Sequence, residues 1–363
     1  MGGCREAEMI SVAWVPSSSN LRTASARLRC YNVVAALAGK GCDIRVVDLD
    51  DARPHQVVVL SKRYDPAALE FALRTTRSGG TAILDLCDNH FYAQVACADA
   101  DRRRQHLGRM LEAVQHLVVS TTTLADVVRA ETCYGGPITI IGDPVDDLSL
   151  ANVPLGARDV FGFVRMEPLR RRVLRAKRRH QVRLVWFGAH GVSYADGGML
   201  DLLQVRDLLV RLGSRYELSL TVISNSWSKY LRHIRGFGVP TRYFEWNPRS
   251  FSELVAAHDV CIVPICSNPF TMCKSNNRVA TALWHGVPVV ANSIPSYEEL
   301  RRFIVLDDWE QGLTQYLEQP ATGAEHVRTG REYLCAHYSL NTIARQWADV
   351  FGTVTRAKEF HAG

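Results

Sequence analysis

The most informative part of the sequence is VPICSNPFTMCKSNNRVATALWHGVPVVANSIPSYEEL, residues 263–300. It ends a short apolar run, passes through a polar loop and an apolar helix pattern, and then enters a second apolar run. Gly286 stands where a left-handed helix stop is favoured, and Pro288 prevents the helix from resuming. Val287–Ala291 is apolar throughout, as expected of a parallel strand buried on both faces. The stretch therefore predicts a strand–helix–strand unit of an α/β protein.

The polar side chains of this stretch concentrate where the helix is predicted to start, and Ser275 can cap that helix. They are Lys274, Ser275, Asn276, Asn277 and Arg278. Backbone N–H groups at a helix N-terminus, beside two cations, form an anion site, and ligands of open α/β sheets bind at this end of the strands. A solvated helix start with two surface cations is the alternative, and the pattern alone does not decide between them.

A strand ending in proline, a polar loop, a helix and GVPVVA follow one another as in the donor-nucleotide segment of GT-B-fold glycosyltransferases. The stretch most resembles the group-1 (family-4-type) retaining enzymes. In that group the helix usually carries two glutamates spaced E-x7-E, of which the second contacts the donor ribose. Cys273 and Thr281 stand at those places here. The resemblance therefore implies the fold, and this mode of ribose recognition does not carry over.

Strand and helix patterns alternate along the chain in two rounds. The first round begins with ISVAWV at 10–15, and PITIIGDPVD at 137–146 resembles the strand that closes the N-terminal domain of these enzymes. The second round begins with VRLVWFG at 182–188. Two such rounds predict the α/β class with two Rossmann-like, doubly wound domains, and the resemblance implies that these face a cleft, as in GT-B enzymes.

The domain boundaries follow from these patterns. We expect an N-terminal, acceptor-side domain at 1–150, a basic interdomain linker at 151–181 and a donor domain at 182–340. The patterns from 309 to 360 predict three helices. The resemblance implies that the last segment, 341–363, is a helix that returns to the N-terminal domain.

Composition sets the broad class. With 363 residues, 47% hydrophobic and 22% charged, the chain has the balance of a globular protein of two domains. No apolar run approaches the ~18 residues of a membrane-spanning helix, and the N-terminus lacks an apolar signal core, so we expect a cytoplasmic protein. The ten cysteines are scattered without a C-x2-C pair, which favours reduced thiols over disulfides or a zinc site.

The positive charge is concentrated in one segment. Between Arg165 and Arg183 lie eight arginines and one lysine against a single acid, Glu167. Arg171, Arg175 and Arg178 would share a face if the segment were helical. The segment fits a peripheral contact with an anionic membrane at the inner face, an acidic acceptor, or a solvated, charge-rich linker. No aromatic interleaving or known module supports nucleic acid as a partner.

The candidate residues of the first domain rest on the resemblance. The loop after the first strand faces the acceptor in this family, which makes Ser18, Asn20, Arg27 and Arg29 candidates for acceptor contacts, with loop serines and surface arginines as the alternative. Asp88 and His90 follow the fourth predicted strand, where the family often carries a His-Asp pair. They are the candidates for positioning an acceptor hydroxyl or for a general base, and a structural role is the alternative.

The candidate residues of the second domain are those at the carboxyl ends of its predicted strands. The glycine loop from Gly188 lacks the family's usual arginine and lysine, so Lys274 and Arg278 are expected to carry more of the diphosphate charge. Trp246 could stack on the base or fill the core, and Glu298 or Glu299 could recognise sugar hydroxyls, with Glu298 slightly favoured. The full donor set is Gly188, His190, Ser224, Asn225, Trp246, Lys274, Ser275, Asn277, Arg278, Glu298 and Glu299.

The resemblance implies a glycosyltransferase that moves a sugar, with retention, from a nucleotide-sugar donor of unknown base to an acceptor hydroxyl. It implies no obligatory metal or other cofactor. A glycan, a lipid-linked intermediate or a small metabolite each suits as acceptor, as in envelope polysaccharide or glycosylated metabolite synthesis. A nucleotide-sugar epimerase and a non-catalytic GT-B scaffold or regulatory partner remain alternatives. A dehydrogenase is disfavoured because no G-x-G-x-x-G follows the first strand.

Overall fold

The computed structural model of the chain describes residues 9–148, 156–175 and 181–362. The chain forms two compact units, of which the first comprises Met1–Pro144 with His337–Gly363 and the second Val145–Ala336. Each unit contains one six-stranded sheet whose strands are all parallel. The expected α/β class with two doubly wound sheets is confirmed.

The sheet of the first unit is built from almost purely apolar strands. Its strands are β1 (Ile10–Pro16), β2 (Cys42–Val46), β3 (Val57–Ser61), β4 (Thr81–Leu86), β5 (His116–Val119) and β6 (Ile138–Ile140). They lie in the order β2-β1-β3-β4-β5-β6. All residues of β3 and β4 are buried, as expected of parallel strands covered on both faces.

Two helices of the first unit begin at side-chain caps. The helices of this unit are α1 (Ala24–Ala26), α2 (Asn32–Leu37), α3 (Pro66–Arg77), α4 (Ala98–Ala113), α5 (Thr122–Glu131) and α13 (Leu340–Ala362), with a π-helical turn at Arg27–Tyr31 between the first two. The Asp65 side chain accepts the N–H of Ala68 at the start of α3, and Thr121 does the same for Leu124 in α5.

Helix α13 completes the core of the first unit. Its Trp347 ring lies 4.6 Å from the Trp14 ring of β1, and Phe351 packs beside both. All three side chains are buried. The indole N–H of Trp14 donates to Ser61 Oγ at 2.7 Å, so the ring has its polar atom satisfied inside the core.

The sheet of the second unit repeats the plan with a different strand order. Its strands are β7 (Gln181–Phe187), β8 (Glu217–Ser224), β9 (Thr241–Glu245), β10 (Val260–Val263), β11 (Val289–Ala291) and β12 (Val305–Leu306). They lie in the order β12-β11-β10-β7-β8-β9. Leu184 and Trp186 of β7, with Leu220 and Val222 of β8, are at the centre of its core.

The second unit contains seven α-helices and three 3-10 turns among the described residues. They are α6 (Ala157–Leu174), α7 (Arg206–Gly213), α8 (Trp227–His233), α9 (Phe251–Ala256), α10 (Asn277–Trp284), α11 (Trp309–Glu318) and α12 (Pro320–Tyr338), with 3-10 turns at Gly198–Val205, Thr271–Cys273 and Pro295–Leu300. Together with α13, α11 and α12 confirm the three helices expected at the end of the chain. Within the described ranges, no helix is both long and apolar enough to cross a bilayer.

Two local predictions differ from the structure. The middle of the expected linker is helix α6, because Val173 is buried and the guanidinium of Arg183 donates to the carbonyl oxygens of Val173 and Arg175. Arg178, expected on the same face, lies outside the described residues. The helix expected to be capped by Ser275 begins at Asn277, with Asn276 as its N-cap.

Candidate functional site

In the second unit the strand order reverses between β7 and β10. The chain runs from β7 through β8 to β9 on one side and from β10 through β11 to β12 on the other. Ligands of open α/β sheets bind outside the carboxyl ends of the strands at such a switch point. Two segments follow the strands there, namely the glycine loop that begins at Gly188 and the polar segment that leads into α10.

The glycine loop folds back on itself so closely that no side chain fits at Gly191 or Gly198. Gly191 and Gly198 have φ angles of +118° and +80°, which favour glycine. A Cβ at Gly198 would lie 2.5 Å from the backbone nitrogen of Gly191. The Asp201 carboxylate accepts the N–H of Gly198 at 2.9 Å and that of Cys266 at 3.2 Å, so it joins the glycine loop to the segment after β10. Burial raises the pKa of Asp201, while these hydrogen bonds and the charge of Arg278 act in the opposite direction.

Arg278 occupies the first turn of α10 and faces the glycine loop. A Cβ at Gly188 would lie 3.0 Å from its Nη2, and its guanidinium carbon lies 5.4 Å from the Trp186 ring centroid. Its Nη1 is buried and has no hydrogen-bond partner among the described residues. A buried guanidinium nitrogen without a partner is costly. An anion beside the backbone of Gly188 would meet Nε and Nη2, the two nitrogens of Arg278 that lie nearest to that backbone.

The rest of the polar segment is held from the other side. Ser296 Oγ donates to the Lys274 carbonyl at 2.6 Å, and the Lys274 ammonium lies 4.0 Å from the Phe270 ring centroid. Ser275 and Asn277 are half-buried. Asn276 is buried and donates to Glu299 Oε1 at 2.6 Å, while its own Oδ1 is buried without a partner among the described residues. The start of α10 therefore presents both cations on a fixed backbone.

Glu298 and Glu299 differ in what they contact. Glu298 is exposed, accepts from Ser293 and binds Arg301 through both oxygens, and these contacts lower its pKa to about 2. Glu299 accepts from Asn276 and, at 3.1 Å, from the hydroxyl of Tyr333. The slight preference for Glu298 as the sugar-binding residue stays a prediction, and it would require exchange of the Arg301 contact.

The remaining predicted donor residues surround the Gly188 loop. Ser224 is buried and donates to the Gly188 carbonyl at 2.7 Å, and Asn225 Oδ1 accepts the His190 N–H at 2.9 Å. These two side chains shape the loop. The Trp246 ring is half-buried, with its centroid 6.2 Å from that of Phe251, so both the base-stacking and the core interpretation keep a basis in the structure.

Cys273 and Thr281 occupy the places of the family's two glutamates. Each is 1% exposed. Thr281 Oγ1 is buried without a hydrogen-bond partner among the described residues. Neither side chain is placed to contact a ribose at the surface of the site.

In the first unit the strand order reverses between β1 and β3, and Arg29 fills the space behind this switch point. Its guanidinium binds the Asp85 carboxylate through Nε at 2.9 Å and Nη2 at 2.6 Å, and Nη1 donates to Asp143 at 2.9 Å. Burial by itself would lower the pKa of Arg29, but Asp85 and Asp143 outweigh it and raise this pKa above its ordinary value. Ser61 Oγ also donates to Asp85, at 2.8 Å. The network joins the π-helical turn at Arg27–Tyr31 to β3, β4 and Asp143.

Of the predicted acceptor residues, the two arginines are not surface side chains. Arg27 and Arg29 are each 2% exposed, and Arg27 donates to the Leu21 carbonyl at 2.6 Å. Ser18 Oγ accepts the Asn20 N–H at 3.1 Å, and Asn20 Oδ1 accepts the Arg22 N–H at 2.9 Å. Ser18 and Asn20 thus form a turn, and their contact with an acceptor stays a prediction.

Asp88 and His90 lie at the carboxyl end of β4, and the structure adds two residues to them. Lys62, in the left-handed region with φ of +52°, donates to Asp88, while Tyr64 Oη lies 2.7 Å from His90 Nδ1. His90 Nε2 is 3.9 Å from Asp88 Oδ2. Lys62 and Tyr64 were not predicted as site residues from the sequence. Their position could have indicated them, because they follow the buried strand VVVLS at the same edge of the sheet.

Two arginines of α4 fix the loop that carries His90. Arg103 donates to the carbonyl oxygens of His90 at 3.1 Å and Tyr92 at 3.0 Å, and Arg104 donates to that of Phe91 at 2.7 Å.

Among the described residues, no group of three or more His, Cys, Asp or Glu side chains could hold a metal ion.

Several solved structures resemble this chain along most of its length. Sucrose-phosphate synthase from Thermosynechococcus elongatus is 12% identical, with a TM-score of 0.64 over 96% of this chain and 100% of that one. Anabaena HepE, solved with UDP and glucose, is 11% identical, with a TM-score of 0.62 over 94% and 99% of the two chains. A glycosyltransferase from Rickettsia africae is 11% identical, with a TM-score of 0.61 over 96% and 99%. The chain has the GT-B fold.

At these identities the likeness shows the fold alone. No protein-family model and no curated protein matches the sequence. Function must therefore be argued from the site.

Proposed function

We propose that the protein is a glycosyltransferase whose second unit binds a nucleotide-sugar donor. The observation that carries this proposal is the guanidinium of Arg278, whose Nε and Nη2 face Gly188 at the switch point and whose Nη1 is buried without a partner among the described residues. A diphosphate needs close backbone approach and a fork of donors, and the loop and the guanidinium supply these. The solved neighbours support the choice, because HepE was solved with UDP and glucose.

The chemistry follows from where charge appears. When the bond between the sugar and the nucleoside diphosphate breaks, negative charge builds up on the leaving phosphate oxygen. Arg278, Lys274 and the N–H groups at the start of α10 would stabilise that charge. We propose on the same basis that transfer needs no metal ion, and from the resemblance that configuration is retained. The acceptor would be a glycan, a lipid-linked intermediate or a small metabolite.

The roles proposed for the first unit are less specific. His90 and Asp88 would position or deprotonate the acceptor hydroxyl, with Lys62 and Tyr64 holding them in place. Lys62 forms an ion pair with Asp88. Trp246 would stack on the nucleobase, which the residues of the site do not specify.

The experiment is a thermal-shift screen of the chain with UDP, GDP, dTDP, ADP and CMP. A ligand at about 100 times its dissociation constant should add ~2.7 kcal/mol to the free energy of unfolding. We expect one nucleotide to shift the wild type and Arg302→Ala, an exposed control, but not Arg278→Ala. If no nucleotide shifts the wild type, the donor site is wrong and the non-catalytic scaffold becomes the better interpretation.

Transfer itself is tested with the corresponding nucleotide sugar. A transferase releases nucleoside diphosphate faster when an acceptor is added, whereas an epimerase turns over without one. Chelation of divalent metal by EDTA should leave the rate unchanged. Loss of activity that only a divalent metal restores would contradict the metal-independent proposal.

A further inference from the structure

Helix α6 presents an exposed face that is apolar in its first half and basic in its second. Phe161, Val164 and Val160 are 70%, 63% and 41% exposed, which places three of the most exposed large apolar side chains of the described residues on one helix. The face continues towards the C-terminus with exposed arginines at helical spacing. We call these residues the α6 face: Val160, Phe161, Val164, Arg165, Pro168, Arg171, Arg172 and Arg175.

The opposite side of α6 is anchored within the second unit, so the α6 face points outward for a structural reason. Val173 is buried, and Asn247 Nδ2 donates to the Asp159 carbonyl at 2.8 Å. Arg170 ion-pairs with Glu253 of α9 and covers the Phe163 ring at 4.9 Å. Rotating the helix to hide Phe161 would break these contacts.

The charge on the α6 face has one sign. Glu167 is the only acid between Arg165 and Arg175, and it binds Arg170 at 2.6 Å and Arg171 at 2.7 Å. No residue of the α6 face is acidic. The sequence continues with a further lysine and two arginines at 177–179. The partner of this surface must therefore accept exposed hydrocarbon at one end and supply negative charge at the other.

We infer that the α6 face binds the surface of an anionic lipid bilayer. Phe161 and Val164 would enter the headgroup boundary, where apolar side chains are buried, and the arginines would contact lipid phosphates. The phosphates of a nucleic acid would pair with the arginines, but Phe161 and Val164 would stay exposed to water. An anionic bilayer accommodates both halves of the face.

The test is flotation of the full chain with vesicles of phosphatidylcholine, alone or mixed with phosphatidylglycerol. We expect binding to the mixed vesicles only, weakened by salt because screening reduces attraction between exposed charges. Phe161→Asp with Val164→Asp should abolish flotation, and Val95→Asp with Leu203→Asp, two exposed apolar positions elsewhere, should not.

The arginines are tested separately. Arg172→Ala with Arg175→Ala should weaken vesicle binding by about 25-fold, since each arginine near an anionic surface contributes about fivefold. Arg206→Ala with Arg232→Ala removes two exposed arginines elsewhere in the same unit and should change binding little. Unchanged thermal midpoints would show that all variants fold.

Several results would overturn the inference. They are equal flotation with neutral and mixed vesicles, no flotation at all, binding of DNA without binding of vesicles, and formation of a dimer that the Phe161 and Val164 variants dissolve. Flotation does not depend on nucleotide binding or sugar transfer. The inference and the proposed function therefore stand or fall separately.

Discussion

Replacing Arg278 with methionine separates two consequences of its position. The change removes the charge and keeps an unbranched side chain beside Trp186. Without ligand, Nη1 of Arg278 is buried and has no partner among the described residues. Leaving such a group unsatisfied costs about 1–3 kcal/mol, whereas a cation over an aromatic ring contributes about 0.5–1 kcal/mol. Arg278→Met should therefore raise the free energy of unfolding of the ligand-free protein by about 1 kcal/mol.

The same substitution should remove nucleotide binding. A guanidinium binds phosphate through two parallel N–H donors, and each hydrogen bond to a charged group contributes about 1.5–3 kcal/mol. Loss of both corresponds to about 3–6 kcal/mol, so the dissociation constant should rise by a factor of at least about 100. A more stable protein that no longer binds its ligand is typical of a site whose strained group serves function.

Urea unfolding with and without the nucleotide that stabilises the wild type measures both effects. Arg278→Lys keeps the charge without the fork and should bind with intermediate affinity. Arg302→Met, at an exposed position, should behave like the wild type in both measurements. The reasoning is refuted if Arg278→Met lowers the free energy of unfolding by ~2 kcal/mol or more and still binds nucleotide normally, because the guanidinium would then be a structural support.

Three further predictions concern the loop, the first unit and pH. Gly198→Ala, at φ of +80° and with its Cβ 2.5 Å from the facing backbone, should lower the free energy of unfolding by at least ~1 kcal/mol and weaken nucleotide binding, whereas Gly108→Ala, in open space on α4, should do neither. Asp85→Asn should destabilise the protein by about 3–5 kcal/mol in urea, because it leaves the buried Arg29 without its main counter-charge, and a loss below ~1 kcal/mol would contradict this. Burial lowers the pKa of His258 from 6.5 to about 4, so the unfolded chain binds a proton that the folded chain refuses, and the free energy of unfolding should fall by roughly 3 kcal/mol from pH 6.5 to 4. His258→Asn should flatten that slope, and an unchanged slope would count against the assignment.

The architecture could be predicted from local patterns in the chain. Apolar runs such as Val287–Ala291, the stop at Gly286 and the alternation of two periodicities are local signals, and each predicts its element without knowledge of any other. Because parallel strands end at one edge of a sheet, the polar residues after each strand could also be assigned to that edge. Lys274 and Arg278 were assigned to that edge in this way, whereas the diphosphate role of the Gly188 loop was implied by the family resemblance.

Which side chains meet depends on the packing of the folded chain. Arg29 lies 56 residues from Asp85, and Lys62 lies 26 residues from Asp88, so no local pattern links these pairs. Their contacts depend on strand register and packing, which turned an expected acceptor contact into a buried cross-link. Helix α6 was not predicted within the basic segment, because its stability depends on contacts with the rest of its unit more than on its own sequence pattern. Hydrophobic periodicity therefore predicts helices and strands, whereas side-chain contacts depend on which residues the fold brings together between them.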